Sequence, residues 1–255
     1  MSDAFFAAEN LNLSFGGVHA VRDVSFEVTK GEVFSIIGPN GAGKTTIFNL
    51  ISRLYDVDGD GTMRFDGDDI TRIAPCDVAR RGIARTFQNT ELFDHETVLK
   101  NLLIGRHVHR KTSLLSEMFF TPSVARQELE FRKVVEDVID LLDLQSYRNQ
   151  VIANLPYGVR KMVEVARALC IEPKLLLLDE PSSGLNPEET EDVVFWIEDI
   201  NEELGATIIM VEHDMNLVTS TSNRVMAMAD GGVLAIGPPA EIQSHPDVLR
   251  AYLGD

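Results

Sequence analysis

The sequence predicts an α/β fold: a strand–helix core with a strand-rich start and a mostly helical insert. Three observations carry this. Largely apolar runs of strand length occur at 33–37, 175–178 and 207–211. Stretches with apolar residues at helical spacing follow them. Between the first and second runs, roughly 98–152 keeps helical periodicity nearly throughout.

In chain order, residues 5–15 read as a strand that Gly16-Gly17 turns back. Residues 24–28 (Val-Ser-Phe-Glu-Val) alternate with period two, as a half-exposed strand does. After the Lys30-Gly31 turn, residues 33–37 form a buried strand that runs into a glycine-rich segment. Ile47, Leu50 and Ile51 then fall at helical spacing. In the insert, Val134, Val135, Val138, Leu141 and Leu142 mark a helix, and Thr121-Pro122-Ser123 is a loop before a helix start. Residues 175–178 are a strand, and 188–204 an amphipathic helix with Val193, Val194, Ile197 and Ile200 inward. A strand over 207–211 and a helix over 215–221 follow. Residues 225–229 and 233–236 bracket Asp230-Gly231-Gly232, a hairpin signal.

Composition narrows the class. The 255 residues are 44% hydrophobic and 25% charged, which excludes disorder, collagen and a whole-chain coiled coil. With 23 basic and 40 acidic residues the net charge is −17, so the chain is not expected to wrap a nucleic-acid backbone. A small local phosphate site remains compatible. Cys76 and Cys170 cannot make a disulfide framework and read as reduced thiols of a cytosolic fold. No basic, apolar leader opens the sequence, and no apolar run approaches the roughly 20 residues that span a bilayer. A membrane role would need other chains to do the spanning.

Gly38-Pro39-Asn40-Gly41-Ala42-Gly43-Lys44-Thr45 fits G-x-x-x-x-G-K-[ST] at every fixed position, with Thr46 following. Glycines let backbone N–H groups converge on polyphosphate oxygens, and a helix start near Gly43 adds a positive dipole end. Lys44 would reach the β- and γ-phosphates, and the Thr45 hydroxyl would ligate Mg²⁺. The strand at 175–178 ends in Asp179-Glu180. Asp179 suits the Mg²⁺ shell. Glu180, on the opposite pleat direction if the strand continues, could polarise an attacking water. His107 and His109 have the look of a metal pair, but no further ligands accompany them, and they read as a solvated face.

The order of further motifs resembles the nucleotide-binding subunit of ABC transporters over nearly the whole chain. Gln88, in Arg85-Thr86-Phe87-Gln88-Asn89, matches the Q-loop. Leu155-Pro156-Tyr157-Gly158-Val159 occupies the signature position, where the family usually has L-S-G-G-Q; Pro156, Tyr157 and Val159 depart from it. Ser183-Gly184-Leu185-Asn186 sits at the D-loop, and His213 matches the switch histidine. Phe15 matches the aromatic that stacks on adenine. Beside the resemblance, Gly158 begins a helix through Arg167, with Val159, Met162, Val163, Ala166 and Leu169 inward. A helix N-terminus with glycine can approach a phosphate closely.

The resemblance implies a P-loop NTPase core of ABC ATPase type, with an N-terminal antiparallel β region and an inserted helical subdomain. Residues 1–91 and 166–255 would form the ATP-binding core, and 92–165 the helical subdomain carrying the signature. It implies ATP and Mg²⁺ as cofactors. Gln88, Glu180 and His213 would be catalytic. Gln88, Thr45 and Asp179 would be metal-facing. Phe15, 38–46, Tyr157 and Gly158 would be nucleotide-binding. Expected partners are a second ATP-binding subunit, identical or related, transmembrane permease subunits and, indirectly, a substrate-binding receptor, with no nucleic acid. The expected location is peripheral, on the cytoplasmic face of the inner membrane.

Some segments look closer to one branch, the ATPases of branched-chain (hydrophobic) amino-acid importers. They are Arg85-Thr86-Phe87-Gln88, Leu185-Asn186-Pro187-Glu188-Glu189-Thr190, Val211-Glu212-His213-Asp214-Met215 and the tail from His245 to Gly254. Urea or lipopolysaccharide systems share much of this pattern and stand as the alternative. A soluble P-loop kinase is the alternative from another class, and it would need an acceptor pocket. ABC ATPases of ribosomes or DNA typically carry tandem cassettes or long coiled coils, which this sequence lacks.

Overall fold

The computed structural model describes residues 4–86, 92–111, 118 and 121–253. It divides into two compact units, 1–85 with 174–255, and 86–173.

The first unit holds two sheets. β1 (Phe6–Phe15) and β2 (Val18–Val28) form an antiparallel hairpin over a turn in which Gly16 and Gly17 both take positive φ. The second strand starts earlier than the alternation at 24–28 suggests. β4 (Thr62–Phe65) and β5 (Asp68–Asp69) extend this sheet in the order β2-β1-β4-β5. The larger sheet contains β3 (Val33–Ile37), β6 (Ile83–Arg85), β7 (Leu175–Asp179), β8 (Thr207–Val211), β9 (Arg224–Ala229) and β10 (Gly232–Gly237). Its order is β10-β9-β3-β8-β7-β6. All neighbours are parallel except the β9–β10 hairpin, whose Asp230-Gly231 turn has φ of 47° and 79°. Every residue of β3, β7 and β8 is buried. That is why these strands read as continuous apolar runs rather than alternating ones. Phe26 of β2 stacks on Phe34 of β3 at 5.5 Å between ring centroids, which ties the two sheets into one core.

Helices α1 (Lys44–Ile51) and α2 (Pro75–Arg80) follow β3 and β5. The long helix of this unit runs Pro187–Leu204, one residue earlier than its apolar periodicity indicates. Asn186 and Glu189 form a capping box, Pro187 takes the first helical position, and Gly205 ends it in the left-handed region. Val193, Ile197 and Ile200 are buried, while Val194 is half-buried. Short helices Met215–Thr221, Pro239–Gln243 and Pro246–Leu253 complete the unit. Among the described residues, no helix is long and apolar enough to cross a membrane.

The second unit is helical. α3 (Val98–Gly105) is capped by the Thr97 side chain, and Pro122 opens the next helix, Pro122–Leu141. The helix Tyr157–Leu169 packs against α3. It is buried on more sides than one stripe, so Lys161 and Glu164 are buried, whereas Val159 and Met162, expected inward, are half-buried. Charged residues that a helix buries look like a solvent face in one dimension. Arg106 anchors the unit. It donates to the Cys170 carbonyl and to Glu172, each at 2.6 Å, and lies over the Phe131 ring. His109 is not on a solvated face: its Nε2 is 2.7 Å from the Ile171 carbonyl oxygen. Burial pushes the Cys170 thiol up to about 12, which keeps it protonated at neutral pH.

At Gly105 the helices meet backbone to backbone. A Cβ there would lie 2.5 Å from the Arg167 carbonyl oxygen and 3.0 Å from Cys170 Cβ. Gly105→Ala is therefore expected to lower unfolding free energy by about 1–3 kcal/mol, read as a lower urea midpoint.

Candidate functional site

The carboxyl ends of three adjacent parallel strands deliver the polar groups. β3 ends in the glycine-rich loop, β7 in Asp179 and Glu180, and β8 in Glu212 and His213. The register pairs Ile36 with Val211, and Asp179 with the same Val211, so the three loops leave at one level.

The loop from Gly38 to Gly43 curls before α1. Gly41 has φ 83° and Gly43 φ 98°, a backbone that side-chain-bearing residues rarely adopt. A Cβ at Gly38 would strike the Met228 carbonyl oxygen at 2.2 Å, and one at Gly43 the Ala20 carbonyl oxygen at 2.4 Å. These glycines are fixed by close approach to β9 and β2, whereas Gly41 faces open space. Lys44 is buried, and its Nζ donates to the carbonyls of Gly38 (2.7 Å) and Pro39 (3.0 Å). Burial lowers its pKa, while the carboxylates of Glu180 and Asp179 pull it back up. Thr45 is exposed and Thr46 half-buried.

Asp179 is almost fully buried and pairs with Arg85 Nη2 at 2.8 Å. Arg85 also donates to Asn49 Oδ1 (2.7 Å) and lies over the Phe48 ring. Glu180 does not continue the pleat. The strand stops at Asp179, and Glu180 turns into the left-handed region at φ 51°. This turn brings its Oε1 to 3.1 Å from His213 Nε2. Glu180 is thus joined to Lys44 by charge and to His213 by contact. Phe15, 45% exposed, packs edge-on against Tyr55 at 5.1 Å. Tyr252 of the last helix takes a hydrogen bond from the Gly38 backbone.

In the helical unit, Tyr157 is exposed and Gly158 buried in the first turn of their helix. Pro156 precedes them and supplies no side-chain cap. Gln88 lies outside the described residues.

Sequence reasoning missed two charged residues at this strand edge. Arg85 ends the short apolar segment Ile83-Ala84-Arg85, and a cation there was the available signal for a partner to the buried Asp179. Glu212 follows the apolar run 207–211 directly, next to His213. It is buried and accepts three backbone hydrogen bonds.

The loop, the carboxylates and the histidine on one edge of a parallel sheet define a P-loop nucleotide-binding cassette. The chain belongs to the ABC transporter family: the family model of that description matches residues 21–183. A second model, described as branched-chain amino acid ATP-binding cassette transporter, matches 233–255. The chain is 39% identical over 255 residues to the high-affinity branched-chain amino acid transport ATP-binding protein BraF of Pseudomonas aeruginosa, covering 100% of both. It is 38% identical over the same length to LivG of Escherichia coli, which carries the same description, again covering 100% of both. Among solved structures, it is similar to the ADP conformation of an ATP-binding cassette of an ABC transporter. The TM-score there is 0.86, with 31% identity and full coverage of both chains.

Lys44 makes stability depend on pH. Its folded pKa lies below the unfolded value of 10.5. Carrying the buried charge therefore costs stability at neutral pH, and the cost is relieved as pH rises from the folded pKa toward the unfolded one. Lys44→Met is expected to leave the nucleotide-free melting temperature unchanged or higher, while abolishing the upward shift that ATP produces in a thermal-shift assay.

Proposed function

We propose that this chain is the ATP-hydrolysing subunit of an importer for branched-chain or other hydrophobic amino acids, working on separate transmembrane permease subunits from the cytoplasmic face. The observation that carries the hydrolytic reading is the Glu180–His213 contact, set beside buried Lys44 on the edge where β3, β7 and β8 end. The full-length likeness to BraF and LivG, and the separate match of the tail at 233–255, support the cargo class.

The residues divide the work. Backbone N–H groups of 41–46 and Lys44 hold the β- and γ-phosphates. Phe15, in T-shaped contact with Tyr55 and 45% exposed, is assigned to stack on the base. The Thr45 hydroxyl and the Asp179 carboxylate are hard oxygen donors that fit Mg²⁺, and Gln88 is assigned to the same shell. When bound, Mg²⁺ supplies neutralisation of the charge shared by the β- and γ-phosphates. Arg85 fixes the orientation of Asp179. Glu180 orients water for attack, and His213 steadies both Glu180 and the γ-phosphate.

Two such chains are assigned to pack head to tail. The turn at Tyr157 and Gly158 of a second copy would then close on the phosphates held by the first. Closure and ATP binding would be linked because neither chain alone completes the donor set. Glu180→Gln is expected to keep ATP affinity within about two-fold, cut turnover at least about 100-fold and accumulate an ATP-bound dimer in size-exclusion chromatography. Normal turnover in that variant would overturn the assignment.

A further inference from the structure

We propose that Glu212 is a positioning residue: its carboxylate yokes the loop bearing Glu180 to the loop bearing His213 and thereby sets the geometry of hydrolysis. The inference rests on the ATPase reading above.

Sheet pairing between β7 and β8 ends at Asp179 and Val211. One further backbone bond follows, from Glu180 N–H to the Val211 carbonyl at 2.9 Å. Past that point the two loops diverge, and Glu212 spans them. Its Oε1 accepts from Ser182 N–H at 2.8 Å, two residues beyond Glu180. Its Oε2 accepts from His213 N–H at 2.6 Å and Asp214 N–H at 3.1 Å. Ser182 also opens onto the 183–186 segment, and Asp214 caps the helix Met215–Thr221 through Asn216 and Leu217. One buried carboxylate therefore holds the turn through Ser182 that follows Glu180, the backbone of His213 and, through Asp214, the helix behind it.

The chemistry requires a carboxylate. All three partners are N–H donors, and they approach both oxygens. An ionised carboxyl presents acceptors on both sides. A glutamine would turn its NH₂ toward one of those donors, so one side of the yoke must open. The Glu180–His213 separation of 3.1 Å then loses its backbone constraint on that side. A misplacement of about 1 Å at reacting groups costs on the order of 100-fold in rate. Phosphate binding is assigned to the loop after β3 and to α1; the backbone N–H of Glu212 reaches the Ile36 carbonyl of β3 at 3.4 Å, but its carboxylate bonds to Ser182, His213 and Asp214 instead.

The test compares the unsubstituted chain with Glu212→Gln by three readouts: ATP affinity, turnover at saturating ATP, and amide hydrogen exchange over peptides containing 180–183 and 211–215. The expected result is ATP affinity within two-fold, turnover reduced at least about ten-fold, and exchange at Ser182, His213 and Asp214 faster by about ten-fold or more. Turnover within two-fold, unchanged exchange, or a fall in turnover matched by an equal loss of ATP affinity would overturn the proposal. Should Glu212→Gln fail to fold, Glu212→Asp keeps the charge but shortens the arm, and the same criteria decide. If the unsubstituted chain hydrolyses no ATP, the ATPase reading fails, and the exchange comparison still decides whether the yoke exists.

Discussion

The structure depends on the side-by-side parallel pairing of β3, β8 and β7. Parallel strands present all their carboxyl ends to one edge, so whatever follows each strand is gathered there. Here those followers are a glycine-rich loop, a pair of acids and a Glu-His pair. The pairing holds because each strand is largely apolar and buried on both faces. Removing that burial would leave the three polar groups with no common frame.

At this edge, electrostatics is a matter of matched pairs rather than net charge. The chain carries −17, yet the edge balances Lys44 and Arg85 against Asp179 and Glu180. Asp179 is buried and paired with Arg85, which itself is held by Asn49 and lies over the Phe48 ring. Breaking a buried pair leaves an uncompensated charge, so such a pair resists reorientation. Lys44 is strained in the opposite sense: burial opposes its charge, and a phosphate would relieve that. Under the proposed role of Lys44, stability and ligand binding are opposed at this one residue.

The helical unit solves a different problem. Its central helix, Tyr157–Leu169, is largely buried, and close approach at Gly105 lets α3 lie against it. Arg106 closes the far end of that contact through the Cys170 carbonyl and Glu172. These contacts lie at the carboxyl end of the helix, and Tyr157 and Gly158 sit at its start.

By itself, the sequence determined part of the element list and the loop; β4, β5, α2, β6 and the last two short helices came only with the structure. Val33–Ile37, the glycine curl, the Pro187 helix region and the Asp230-Gly231 turn are local statements of propensity, periodicity and allowed φ, and each is legible within a dozen residues. Tertiary structure alone decided that Arg85 meets Asp179 across 94 positions, that Glu212 reaches Ser182 across 30, and that Glu180 leaves the pleat for a left-handed turn. It also buried Lys161 and Glu164 and gave His109 a carbonyl partner. The reason is physical. Periodicity records which face of an element is apolar, whereas a polar contact between elements follows from strand order and register, and these are properties of the assembled sheet.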